Sequence, residues 1–204
     1  GAVVIGPDIA ERVRMALLEV DALSLLVERE EDIAWLWLGS RRRRDPDSLF
    51  SLFLDREESP LTMSVGEPGR GPEGWRLTHR QALASVPAAL RSPRARARYR
   101  DVAILSSVLQ DDLLATSLRH LYLDPLERER DGGLVARTTL RAYLDSRCIV
   151  SSTASLLGIT RKTVTARLRA IERLIDRPLD SCWTDVAAAL QLDEADRRAP
   201  THSA

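Results

Sequence analysis

The stretch Val150–Ala170, VSSTASLLGITRKTVTARLRA, constrains this chain more than any other. Ala154 sits where two helices must approach closely, and Gly158, four residues on, supplies a backbone that tolerates positive φ. Thr160 is placed to cap a second helix by accepting a bond from a free backbone N–H. Val164, Leu168, Ile171 and Ile175 then recur at helical spacing and make one apolar face. Arg161, Lys162, Thr165, Ala166, Arg169 and Arg173 lie on the opposite side. A short helix, a Gly turn and a second helix with a basic outer face is how bacterial DNA readers are built. An ordinary αα-hairpin with solvated arginines is the alternative; spacing, cap and charge together favour DNA.

Composition sets the outer bounds. The chain has 204 residues, enough for one large or two small domains, and 44% of them are hydrophobic, which suffices for a core. Formal net charge is zero, so a nucleic-acid site must come from local clustering of cations. Lys162 is the single lysine in a chain otherwise served by arginine, a bias read as codon usage in a GC-rich genome. Cys148 and Cys182 show no metal-ligand spacing and fit a reducing cytoplasm. No apolar run is long enough to span a bilayer and no signal peptide opens the chain, so no membrane partner is expected. Because the chain opens abruptly on a strand, it reads as part of a longer protein.

In chain order, Ala2–Ile5 reads as a strand ended by Gly6-Pro7, and Asp8 as the cap of a helix from Ile9 to about Val20, with Ile9, Val13, Ala16 and Leu17 on one face. Leu23–Val27 and Ile33–Leu38 flank a charged tip and predict a β-hairpin. Asp45-Pro46-Asp47 starts a helix through Leu54, and Leu61–Val65 is a strand before Gly66. Residues 67–74 read as a Gly/Pro-rich loop, Thr78 as the cap of a helix from His79 to about Leu90, and Arg91–Arg100 as an irregular basic link. Val102–Leu105 fits either a last strand or the start of a helix running through Leu109. Gln110–Leu123 reads as helix broken by Asp124-Pro125, and Leu134–Leu144 as the helix ahead of the two-helix motif. Leu179 begins a closing segment, with a final amphipathic helix over Trp183–Leu192.

The fold class expected is α+β: an α/β sandwich, one sheet covered by helices, followed by an all-α helix-turn-helix domain. The sandwich elements end near Ser107, and the first domain is drawn as 1–126, used for regulation or dimerisation. Glu127–Gly133 is the expected hinge, residues 134–195 the DNA-binding domain, and 196–204 a disordered tail.

The segment from Leu134 to Leu179 resembles the C-terminal helix-turn-helix of PucR/CdaR-type bacterial transcriptional regulators. The residues that carry the likeness are Thr139-Leu140, Tyr143-Leu144, Ala154, Leu157, Arg161, Thr163, Arg167-Leu168, Ile171-Glu172 and Leu174. The motif itself is similar to the Fis type. Upstream, the hairpin, the strand ending Ser64-Val65-Gly66 and the helix carrying Gln81-Ala82 resemble, in architecture only, the degenerate GGDEF-like domain that precedes this reader in the family. The resemblance implies a cytoplasmic transcription regulator, with a sensor domain expected upstream. Three positions depart from the family pattern. Thr160-Arg161-Lys162-Thr163 stands where His-Arg-Asn-Thr is usual, Ala166 where an aromatic is common, and Asp176 where a glycine usually follows the second helix. The target sequence is therefore not carried over.

The expected mechanism is major-groove reading of double-stranded DNA by the helix Thr160–Ile175. Lys162 or Arg161 would donate to guanine O6 and N7, and the methyl of Thr165 or Ala166 would touch a thymine methyl. Arg169 and Arg173 would meet phosphates, as would Ser151, Ser152 and Thr153 at the start of the first helix; Thr160 and Thr163, at the start of the second, are also counted among the DNA-binding residues. Arg167, at the edge of the buried face, is expected to pack its stem and bond a carbonyl or carboxylate. One such module makes few contacts, so a homodimer or higher homo-oligomer on paired half-sites is expected.

The other candidates have plain readings. Arg41–Arg44 and Arg94, Arg96, Arg98 and Arg100 read as solvated basic segments, with phosphate or partner contact the lesser alternative. His79, His120 and His202 show no metal spacing, and the glycines at 66, 69, 71 and 74 lack the residues of a phosphate loop, so neither a metal nor a cofactor is expected. The hairpin tip, Glu28-Arg29-Glu30-Glu31-Asp32, is acidic but lacks the Gly-Gly pair through which an active GGDEF domain approaches phosphates; Gly132-Gly133 lies elsewhere. A catalytically dead domain is inferred, and no enzyme activity is expected. A nucleotide-binding or cyclase-like enzyme whose helical tail mediates assembly remains the alternative. Trp35 and Trp37, on one face of a strand, read as core or interface.

Overall fold

The computed structural model describes residues 1–18, 23–30, 32–39 and 61–198. The expected helix at Asp45–Leu54, the Arg41–Arg44 run, Glu31 and His202 lie outside them. The chain divides into two compact units, Gly1–Ser107 and Val108–Arg197.

The first unit is built on a five-stranded sheet ordered β2-β3-β1-β4-β5. Its strands are β1 Ala2–Ile5, β2 Leu23–Glu30, β3 Ile33–Gly39, β4 Thr62–Val65 and β5 Arg96–Arg98. β2 pairs antiparallel with β3, β3 with β1 and β1 with β4, whereas β4 and β5 run parallel. Alternation along the strands sends two side-chain sets to opposite faces. On one face Ala2, Val4, Ala34, Leu36, Met63 and Val65 pack with Ile9 and Val13 of α1, Ile9–Leu17. Asp8 precedes that helix in the left-handed region, φ 52°, and its carbonyl accepts from Arg12 N–H. On the other face lies α2, Gly71–Leu90, where Ser64 Oγ donates to the Ala82 carbonyl at 2.8 Å. Trp35 sits 4.3 Å from the His79 ring, and Trp37 stacks on Trp75 at 4.7 Å. Trp37, only 7% exposed, belongs to the core, whereas Trp35 is half-buried with the Arg29 guanidinium over its ring.

Two expectations fail here for local reasons. α2 starts at Gly71, not after Thr78, because Gly71-Pro72 serves as a helix start: φ is 66° at Gly71, and Pro72 occupies a first-turn position whose missing N–H costs nothing. Thr78 is buried mid-helix, and its backbone approaches Gly66 so closely that a Cβ there would run into the Thr78 carbonyl. The expected irregular link at Arg91–Arg100 contains β5, followed directly by α3, Tyr99–Val108, which settles Val102–Leu105 as helix. Arg98 and Arg100 are not freely solvated, since each lies 3.0 Å from a Glu67 carboxylate oxygen. Burial would raise the Glu67 pKa, but the hydrogen bonds from Arg98 and Arg100 prevail and hold it below the usual carboxylate range.

The second unit is helical: α4 Asp112–Leu118, a π-helical turn Arg119–Leu123, α5 Asp124–Glu127, α6 Leu134–Asp145, α7 Val150–Leu157, α8 Arg161–Ile175 and α9 Leu179–Arg198. Asp111 caps α4 by accepting from Leu114 N–H at 2.9 Å. Asp124-Pro125 was expected to break this helix. The backbone instead widens into the π turn, with Asp124 N–H reaching back to the Arg119 carbonyl, which admits a proline without ending the run. Leu118, Tyr122 and Leu126 thereby bury against Leu140, Val164, Leu168 and Ile171 in the core of the second unit.

The expected hinge, Glu127–Gly133, lies inside this unit. The Asp131 carboxylate accepts from Gly133 N–H at 3.0 Å and Val135 N–H at 2.8 Å. Arg137, only 4% exposed, donates to the Gly132 carbonyl and to Glu127. Arg137, Arg141 and Arg197 also converge on Asp193 of α9, itself 8% exposed. A tail had been expected from Asp196; that residue is helical and pairs with Arg119 at 2.7 Å. Among the described residues no helix is long and apolar enough to cross a membrane.

Candidate nucleic-acid interface

Three helices close this site, and each of the first two turns is set by its helix end. α6 ends with Arg147 and Cys148 in the left-handed region, φ 52° and 63°, and Cys148 N–H returns to the Tyr143 carbonyl. α7 ends on Gly158, φ 66°, with Ile159 N–H bonded to the Ala154 carbonyl at 3.0 Å. Both are Schellman closures, in which a left-handed residue lets the chain satisfy the last carbonyls. Ala154, 5% exposed, meets the expectation of a small side chain at the crossing.

Thr160 caps α8 as expected: its Oγ1 accepts from Thr163 N–H at 3.1 Å. The same oxygen lies 2.8 Å from the Thr163 hydroxyl, so both threonines are committed to shaping the helix start. Val164, Leu168, Ile171 and Ile175 are all buried. Arg161, Lys162, Ala166, Arg169 and Arg173 are exposed, and Thr165 is half-buried. At about 100° per residue, Lys162, Ala166, Arg169 and Arg173 share a stripe on the outer face of α8.

The start of α7 differs in one detail from expectation. Ile149 holds the N-cap position and supplies no side-chain bond, so Ser151 and Ser152 carry first-turn N–H groups without a side-chain cap. Ser152 is exposed and Ser151 half-buried. Thr153, however, is buried and its hydroxyl donates to the Ile149 carbonyl at 2.9 Å, which removes it from the phosphate candidates. An open cleft of about 520 Å³ brings Ser151, Ser152, Gly158, Thr160 and Arg161 together, so the starts of α7 and α8 face one space. A second cleft, further along α8, takes in Ala166, Arg169 and Arg173.

Arg167 reaches sideways, as expected, but to a hydroxyl: its Nη1 lies 3.5 Å from Thr139 Oγ1, which donates in turn to the Val135 carbonyl at 2.7 Å. Two groups escaped the sequence. Arg177, just past α8, donates to the Tyr122 hydroxyl at 2.8 Å, and no local pattern links residues 55 positions apart. The Arg137–Asp193 cluster joins α6 to α9 and is equally long-range. Among the described residues no three His, Cys, Asp or Glu side chains gather as for a metal. Glu28, at the hairpin tip, pairs with Arg14.

Two helices joined at a left-handed glycine, the second carrying a basic outer stripe and both packed on a preceding helix, form a helix-turn-helix domain. Residues 136–193 match the family model of the PucR C-terminal helix-turn-helix domain, so the second unit carries a domain of that family. No curated protein matches the chain. Among solved structures it is similar to the "Regulator of Polyketide Synthase Expression from Bifidobacterium adolescentis", at 18% identity and a TM-score of 0.42, covering 100% of this chain and 80% of that one. That likeness is too distant to carry a fold or a function across.

Proposed function

We propose that this protein is a sequence-specific DNA-binding transcription regulator, reading the major groove with α8 and acting as a homodimer on paired half-sites. The observation that carries the reading is the shared cleft at the starts of α7 and α8, continued by the exposed stripe Lys162, Ala166, Arg169 and Arg173. In this reading Lys162 and Arg161 donate to guanine, and Thr165 and Ala166 offer methyl contacts. Ser151, Ser152, Arg169 and Arg173 bind phosphates, while Thr160 and Thr163 hold the helix start in position. The α/β unit is proposed as a degenerate GGDEF-like domain without catalysis, serving oligomerisation or signal relay. Its five-stranded sheet, with helices on both faces and a hairpin at one edge, supports that assignment.

The test is selection from a pool of random duplexes, followed by sequencing, for the wild type, Lys162→Ala and Arg169→Ala. A palindromic motif should emerge. Lys162→Ala should relax one position, at about 1–3 kcal/mol of lost discrimination, and Arg169→Ala should weaken all sites about equally. Absence of any motif, with binding lost at physiological salt, would reject the reading.

A further inference from the structure

We propose that Arg177 is a prepositioned phosphate contact, extending the DNA footprint past the C-terminal end of α8; the inference rests on the DNA-binding reading above. A cleft of about 730 Å³ is lined by Arg169, Arg173 and Arg177 together with Glu172 and Asp176. Its membership places Arg177, which lies beyond the helix, on the same side as the outer stripe. Lys162 and Arg173 are separated along the axis by about 16 Å at 1.5 Å per residue. The major groove is only about 12 Å wide, so when the start of α8 reads bases its far end reaches the phosphate rim. That is where the three guanidinium groups stand.

Arg177 differs from the other two in being tethered to the core. Its Nη1 donates to the Tyr122 hydroxyl at 2.8 Å, and that hydroxyl donates to Asp185 at 2.9 Å. The single phenolic proton is committed to Asp185, so the oxygen can only accept from Arg177. Tyr122 is 3% exposed, which fixes the relay to the packed interior. The tether engages one of the five N–H donors of the guanidinium, and the rest remain for phosphate oxygens. A side chain already held loses less rotamer freedom on binding. The two carboxylates in the cleft work against an anion, but unequally. Glu172 is engaged by Leu179 N–H at 3.0 Å, whereas Asp176 is exposed and lowers the local field. Three guanidinium groups against two carboxylates leave the cleft positive.

The experiment measures affinity of the full chain for a mixed-sequence duplex across a salt series by fluorescence anisotropy. Arg177→Ala should flatten the slope of log K against log salt by about one, whatever the duplex sequence. Arg177→Gln keeps a donor for Tyr122 but drops the charge, and should flatten the slope equally, which covers the case that the alanine variant folds poorly. Tyr122→Phe keeps the ring in the core and the charge on Arg177; it should leave the slope intact and weaken binding about two- to tenfold by freeing the side chain. Wild-type slopes in both Arg177 variants overturn the proposal while the DNA reading stands. A wild-type chain that binds no duplex even at low salt overturns both.

Discussion

Gly158→Ala isolates the backbone term of the turn at the centre of the site. The left-handed conformation at Gly158, φ 66°, is one that L-residues adopt only with steric cost, yet a Cβ built there meets no atom within 4 Å. The expected loss is therefore the conformational penalty alone, about 1–2 kcal/mol. For a domain of roughly 60–100 residues that lowers Tm by about 4–8 °C per kcal/mol. Asp176 offers the mirror image: α8 ends on it at φ 52°, with Arg177 N–H returning to the Glu172 carbonyl at 3.2 Å. Asp176→Gly should relieve a milder version of the same penalty and raise stability by about 0.5–1 kcal/mol. The assay is chemical denaturation read at Trp183, the tryptophan of the second unit, with a fluorinated label to separate it from Trp35, Trp37 and Trp75. A loss above about 3 kcal/mol for Gly158→Ala would mean that the side chain clashes. No loss at all, or a destabilised Asp176→Gly, would refute the left-handed caps as the origin of the turn geometry.

Two further outcomes follow from named contacts. Thr160→Ala removes the oxygen that accepts Thr163 N–H and should cost about 1 kcal/mol in the same denaturation assay, with Thr163→Ala costing less because the backbone cap survives. Burial, then the bond to Asp185, pushes the Tyr122 phenol above its ordinary 10.0. The folded state thus holds that proton more tightly than the unfolded chain does. Its stabilising contribution is complete below pH 10 and is lost as pH rises through the folded value, so Tyr122→Phe should flatten the alkaline limb of stability against pH.

The helix-turn-helix was legible because its signals are local and agree. The small residue at Ala154, the left-handed glycine, the threonine cap and the i, i+4 apolar face each act within a few residues, and together they fix both helices and which face is outward. The hairpin was legible for the same reason, since two apolar runs flank a charged tip and pair as β2 and β3. β5 was not: three residues, Arg96–Arg98, carry no pattern, and only pairing with β4 makes them a strand. Nor were the left-handed residues Arg147 and Cys148, because non-glycine side chains conceal a conformation that the helix ends impose; Asp176 stood out only by occupying a position where a glycine is usual. Within the site itself, the exposed stripe could be read from spacing, while the removal of Thr153 could not, because it depends on which way one hydroxyl turns.

The division of the chain shows where composition misleads. Charge and two glycines at Glu127–Gly133 read as a solvated hinge, because an unpaired charged run has no reason to order. Here the two ends of the charged run have partners: Asp131 binds two backbone N–H groups, and Glu127 meets a guanidinium that is itself buried. Gly133 is left-handed at φ 75° and packed so closely that a Cβ would lie 2.6 Å from the Leu126 carbonyl oxygen. The segment is thus anchored at Glu127, Asp131 and Gly133. The helices before it are equally informative, for the amphipathic pattern of 112–127 announces that Leu118, Tyr122 and Leu126 will be buried but not in which core. That choice is made by long-range contacts, and here it falls to the helical unit. Tyr122, placed by that choice, is also the residue that holds Arg177 at the rim of the stripe. The segment that the sequence assigned to the regulatory domain thus supplies a support for the arginine that follows α8.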